Sequence, residues 1–205
     1  EEDNYTIDNQ TPRMALLQSA VFALGVASAS VILVTLVVTI VSSGWRFWPL
    51  GEKSWKYRLH WGCVGVFNVA LVATAVLDWG TWVLPRPSSL VVGGILAVVG
   101  AVVFVTSERS FERHETMGLA GELHTSGLYA RSRNPQYVGM IVGLVGFALV
   151  VNSLLVTILV VLHVSWVLLL PLAEEPWLAE EFGAAYHEYR EEVPRFVGVG
   201  TFLTE

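Results

Sequence analysis

Forty consecutive residues, Asn134 to Ala173, carry no Asp, Glu, Lys or Arg, and the run is closed by Arg133 before it and Glu174 after it. As one helix at about 1.5 Å per residue it would be about 60 Å long, twice the ~30 Å hydrocarbon core of a bilayer. The run must fold back on itself. Asn152-Ser153, at its middle, is the short polar turn that joins antiparallel helices. The sequence therefore predicts one helix from Pro135 to Val151 and another from Ser153 to Leu170. Pro171 is expected to end the second, because proline removes a helical hydrogen bond and clashes with the preceding turn.

Three further runs have the same character. Met14 to Val41 is uncharged over 28 residues, longer than the ~20 a crossing needs, so this helix tilts or protrudes. Others run from Trp61 to Leu77, between Arg58 and Asp78, and from Ser88 to Ser107, between Arg86 and Glu108. With 54% hydrophobic residues, 15% charged and a mean hydropathy of +0.57, the chain is not a soluble globule. The expected fold is all-α: a polytopic transmembrane helical bundle of about five spans, 14–41, 61–77, 88–107, 135–151 and 153–170, forming a single integral-membrane domain over 1–205. Glu1, Glu2, Asp3 and Asp8 precede the first run, and that acidic flank argues against a cleaved export signal.

Charge excludes other classes. A net charge of -6 gives no basic footprint for nucleic acid. Cys63, the one cysteine, cannot form an internal disulfide, and five scattered histidines with one thiol do not make a four-ligand zinc site, so no metal is expected. Cys63 reads as a small core residue. Of the 12 Lys and Arg, only Arg13 and Arg86 fall on one side of a five-span topology. The positive-inside rule then puts the N-terminus outside and the C-terminus in the cytoplasm.

Folding the long run back on itself brings Arg131-Ser132-Arg133-Asn134-Pro135-Gln136-Tyr137 to the same edge as Glu174-Glu175. Asn134 suits an N-cap and Pro135 the first helical position. A guanidinium beside a helix N-terminus forms an anion site, although Arg133 also serves as a positive-inside anchor. Glu174 and Glu175 sit within one turn of the predicted fifth helix's end, where the dipole disfavours negative charge, so a cation should offset them: a nearby Arg or a cationic ligand group. A ligand bearing a carboxylate and an ammonium or sulfonium would use both halves, with Tyr129 or Tyr137 facing a sulfonium. S-adenosylmethionine fits that description.

The same residues carry a family resemblance. Thr125-Ser126-Gly127-Leu128-Tyr129, Arg133-Asn134-Pro135-Gln136-Tyr137-Val138-Gly139, Glu174-Glu175, Phe182-Gly183-Ala184-Ala185-Tyr186-His187-Glu188-Tyr189 and Val193-Pro194-Arg195-Phe196 resemble, in order and spacing, the C-terminal signature of the isoprenylcysteine carboxyl methyltransferase and phospholipid methyltransferase superfamily. The resemblance covers about Gly121 to Phe196. It implies an integral-membrane methyltransferase without a Rossmann domain, acting on a lipophilic acceptor: an isoprenylcysteine-like carboxylate, a phospholipid amine or a thiol. It implies that Gly127, Tyr129, Arg133, Asn134, Pro135, Tyr137, Glu174 and Glu175 line the cofactor pocket, joined by His124 if its ring meets the adenine. Catalysis falls to Arg133 and Glu175, and acceptor contact to Tyr186, Tyr189 and Arg195, within a covering segment at 171–205. Asn134 stands where the carboxyl methyltransferases carry His, and Asn carries no titrating proton. Methyl transfer proceeds mainly by positioning in a dry pocket, so that change does not exclude catalysis.

Other residues admit two readings. Trp177, Leu178, Phe182, Ala185, Tyr186, Tyr189 and Val193 mark one face of an amphipathic helix, resting on the membrane or closing a site. His163 lies mid-span as a functional candidate or a packing residue. Gly93-Gly94 and Gly100 allow close helix packing. Asp78 and Arg86 read as ordinary interfacial charges, and Glu108 to Glu115 as a solvated helical extension. The bilayer and a lipophilic acceptor are the expected partners. An NADPH-dependent reductase of the sterol reductase type, with Arg133 on a phosphate, and a non-catalytic lipid-binding relative are the alternatives.

Overall fold

The structure is a computed structural model, described over residues 2–42, 44–50, 52–109 and 122–198, with side chains from residue 12 onward. It is all-helical: α1 (Glu2–Val41), α2 (Trp55–Leu77), α3 (Arg86–Glu108), a 3-10 turn (Gly127–Ala130), α4 (Pro135–Val151), α5 (Leu154–Phe182) and α6 (Ala184–Glu192). Four of these, α1 from Pro12 on, α2, α3 and α5, are long and apolar enough to cross a membrane, and α4 is a shorter apolar helix of 17 residues. Val69, Val76, Val91, Ile95, Val98 and Val102 point outward and are exposed. Such a rim is stable against hydrocarbon and not against water, which fits a multi-pass integral membrane protein. Most of the expected Glu108 to Glu115 extension lies outside the described residues.

The hairpin forms where the turn residues put it. Asn152 ends α4 in the left-handed conformation (φ 55), and Ser153 caps α5 by accepting from the Val156 N–H at 3.1 Å. Its second arm corrects the sequence expectation. α5 does not stop at Pro171 but runs to Phe182 with Pro171 and Pro176 inside it. A proline inside a helix costs about 3 kcal/mol. Here Pro171 is buried, and the turn after it is held by the bonds of Glu174 and Glu175 described below. The expected amphipathic helix over 177–193 is also corrected: Gly183, at φ +53, divides it between the end of α5 and α6. Its apolar face survives the break, since Leu178, Phe182, Tyr186, Tyr189 and Val193 still pack as one cluster.

α1 lies against α2 and α5, α4 against α5, and α3 against α4 at the edge of the bundle. The first three share the main core, in which Ile32, Leu36, Phe67, Leu159 and Val167 are buried, with Cys63 half-buried against it. α3 and α4 meet through glycine. A Cβ on Gly100 would lie 2.2 Å from the Gly143 nitrogen, and one on Gly146 would lie 2.3 Å from that of Ala97. Only hydrogen fits there, and small residues allow the dispersion contact that drives helix association in lipid. Gly93 takes part in this contact, whereas Gly94 faces open space, against expectation.

The tip of the hairpin is tied to the loop between α2 and α3. Asp78 is buried, accepting from Gln18 Nε2 at 2.7 Å on one oxygen and from the Ser153 hydroxyl on the other. Asn152 pairs with both backbone groups of Leu84, and Arg86 donates to the Val150 carbonyl at 2.8 Å. Asp78 and Arg86 are therefore not ordinary interfacial charges. They fasten the turn, because a buried carboxylate and the last carbonyls of α4 each need donors.

Candidate functional site

At the base of the hairpin the start of α4, the middle of α5 and the segment after α6 converge. The Glu175 carboxylate is the hub. Arg195 binds it bidentately, Nε to Oε1 and Nη2 to Oε2, both at 2.6 Å. Arg133 Nη1 lies 3.0 Å from Oε1, with both side chains only 9% exposed. The continuation of α5 removes the helix-end argument for Glu174 and Glu175, which lie inside the helix. For Glu175 the cation is nonetheless there, and it is arginine rather than a ligand. Arg133 also donates to the Tyr186 hydroxyl at 3.2 Å, but its Nε is buried with no partner among the described residues.

Asn134 precedes Pro135 at the start of α4, yet its side chain does not cap the helix. Its amide donates to the Arg195 carbonyl at 2.8 Å, while its own N–H donates to the Ser132 hydroxyl at 3.2 Å. The Arg133 N–H donates to the Pro194 carbonyl at 2.9 Å. Asn134 thus pins the 193–196 segment across the base instead of capping α4.

Glu174 is arranged differently. The Tyr137 hydroxyl donates to its Oε1 at 2.7 Å and the Trp48 indole N–H to the same atom at 2.6 Å. Oε2 takes no donor among the described residues. Neutral donors orient a carboxylate without pairing it with a cation, so among the described residues no guanidinium or ammonium is bonded to Glu174.

The remaining expected residues surround this core. Gly127 opens the 3-10 turn at φ +62, the left-handed region that selects glycine, and Tyr129 in that turn is buried. The His124 ring lies 6.5 Å from that of Tyr129. The Tyr189 hydroxyl donates to the Tyr129 carbonyl at 2.7 Å, joining α6 to the turn. Burial holds the Tyr129, Tyr186 and Tyr189 phenols above the usual tyrosine range, so they stay protonated donors near neutral pH. Pro135 is buried at the first position of α4. His163 is not among these residues: it packs inside the bundle against Phe67 and Trp166, with ring centroids 5.1 and 4.1 Å away. Trp48 and Ser132 were not legible as site residues. Trp48 lies 126 positions from Glu174, and no local spacing links them.

Residues 88–185 match the phospholipid methyltransferase family. The family stands in the superfamily of integral-membrane methyltransferases to which the C-terminal motifs pointed. Arg133, Asn134, Tyr137, Glu174 and Glu175 lie within the matched stretch; Trp48, Tyr186, Tyr189 and Arg195 lie outside it. No curated protein and no solved structure matches the chain.

Proposed function

We propose that the chain transfers a methyl group from S-adenosylmethionine to a lipid acceptor at the base of the α4–α5 hairpin. The observation that carries this reading is a pair of uncommitted groups inside the phospholipid methyltransferase stretch: the buried Arg133 Nε and the Glu174 Oε2. An amino-acid head group presents the complementary pair, a carboxylate for the guanidinium and an ammonium for the carboxylate. The residues present therefore fit the methionine end of the cofactor. When bound, the cofactor supplies an electrophilic methyl on a sulfonium whose departing group is a neutral thioether.

The chain itself positions and shields. Glu175 holds Arg133 and Arg195 so that the start of α4 and the covering segment keep a fixed register. Tyr186 and Tyr189, buried on α6, close the site against water, and a dry, ordered pocket is the main requirement of this chemistry. Asn134 has no titrating proton and its amide donates to the Arg195 carbonyl, so no proton is transferred at that position. The matched family is named for phospholipid, which favours a lipid head group as acceptor.

We place the base of the hairpin on the cytoplasmic side. Arg46, Lys56, Arg58, Arg131, Arg133, Arg190 and Arg195 gather there, while Arg13 and Arg86 lie toward the tip. The reductase alternative would draw on the same Arg133 Nε for a phosphate, and the matched family, one of methyltransferases, favours the first reading.

The test is calorimetric titration of detergent-solubilised protein with S-adenosylhomocysteine. Binding that weakens in both Glu174→Gln and Arg133→Ala supports the site. Absence of binding to folded wild type overturns it, and binding without methyl transfer to any lipid amine, thiol or carboxylate removes the catalytic half of the reading.

A further inference from the structure

The segment between α1 and α2 lies outside the matched stretch, yet it reaches the site. It buries Phe47, Trp48 and Leu50 in the main core. Arg46 pairs with Glu180 on α5 at 2.6 Å, so the segment grips α5 at two points, Glu174 and Glu180. The Trp48 ring is itself held: His60, 5% exposed, packs on it with centroids 4.5 Å apart, and Phe47 and Trp61 flank that histidine. An indole fixed in this way directs its N–H at a single point.

The adjacent glutamates show what this arrangement achieves. Glu175 has donors on both oxygens, all from guanidinium groups, and its charge is spent inside the protein. Glu174 has two neutral donors, both on Oε1. We propose that Trp48 is a positioning residue: with Tyr137 it holds Oε1 of Glu174 and leaves Oε2, with the carboxylate's charge uncompensated, for the ammonium of a bound amino-acid head group. A lysine or arginine at position 48 would hold the oxygen equally well but would neutralise the charge the ligand needs. The N-terminal half thus supplies part of the site. The proposal rests on the methyltransferase reading above.

The test uses two ligands. S-adenosylhomocysteine carries the amino-acid end, and 5′-methylthioadenosine lacks it. Trp48→Phe keeps the ring and removes only the donor. Its expected effect is about tenfold weaker binding of S-adenosylhomocysteine, the low end for a hydrogen bond to a charged group, with 5′-methylthioadenosine changed by less than about twofold. Equal weakening of both ligands means Trp48 merely packs, and overturns the proposal. Wild-type affinity for both in Trp48→Phe also overturns it while leaving the methyltransferase reading intact. If wild type binds neither compound, both fall together. Should Trp48→Phe not fold, His60→Leu, which frees the indole from the ring packed on it, is judged by the same selective loss.

Discussion

The two ends of the α4–α5 hairpin use the same materials, a buried carboxylate and an arginine beside a helix end, to opposite effect. At the tip, Asp78 has one donor on each oxygen, and Asn152 spends both its amide groups on Leu84. At the base, Glu174 stacks two donors on one oxygen, and Arg133 leaves a buried N–H unpaired. Leaving a buried polar atom unsatisfied costs stability, and a bound anion would offset that cost at the Arg133 Nε. The tip closes the fold, and the base holds the groups that the proposed cofactor would meet.

The sharpest break in this contrast is Glu175→Ala, which leaves the buried Arg133 charge unpaired. The expected loss is about 3–5 kcal/mol of stability, read as a lowered thermal midpoint in detergent. Glu174→Gln, one residue away, should leave that midpoint nearly unchanged while weakening S-adenosylhomocysteine binding by at least about tenfold. Similar behaviour of the two variants would erase the distinction between the glutamates. Ser153→Ala at the tip should do the reverse, costing about 2–4 kcal/mol through the lost cap and the donor taken from the buried Asp78 carboxylate, and leaving ligand affinity alone. The smallest effect concerns α6. Burial raises the Tyr186 and Tyr189 phenols, so the folded state holds their protons more tightly than the unfolded chain does. That stability is present below about pH 10 and is lost as pH rises through the folded values. Melting curves taken from pH 8 upward should show this decline, and Tyr189→Phe should make it shallower.

Much of this was legible in the sequence because its causes are local. An uncharged run too long for one crossing had to turn, and Asn152-Ser153 was the place where it could do so without exposing backbone to lipid. The proximity of Arg133 to Glu174 and Glu175 followed from that turn alone. The expected stop at Pro171 failed because propensity argues from one helix, whereas the bonds that carry α5 through to Phe182 come from Trp48, Tyr137, Arg133 and Arg195 on other segments. The cap expected at Asn134 fails for the same reason: the side chain's partner, the Arg195 carbonyl, is 61 residues away.

The sequence by itself determined the helical class, the hairpin and the set of charged residues gathered at its base, since hydrophobic run length and turn chemistry act over neighbouring positions. Only the tertiary structure decided how those charges are spent. Whether a carboxylate is paired with arginine, as Glu175 is, or oriented by neutral donors alone, as Glu174 is, depends on which distant side chain arrives within 3 Å. Two adjacent glutamates look alike in the chain, and they differ because their side chains leave α5 about 100° apart and meet different parts of the fold.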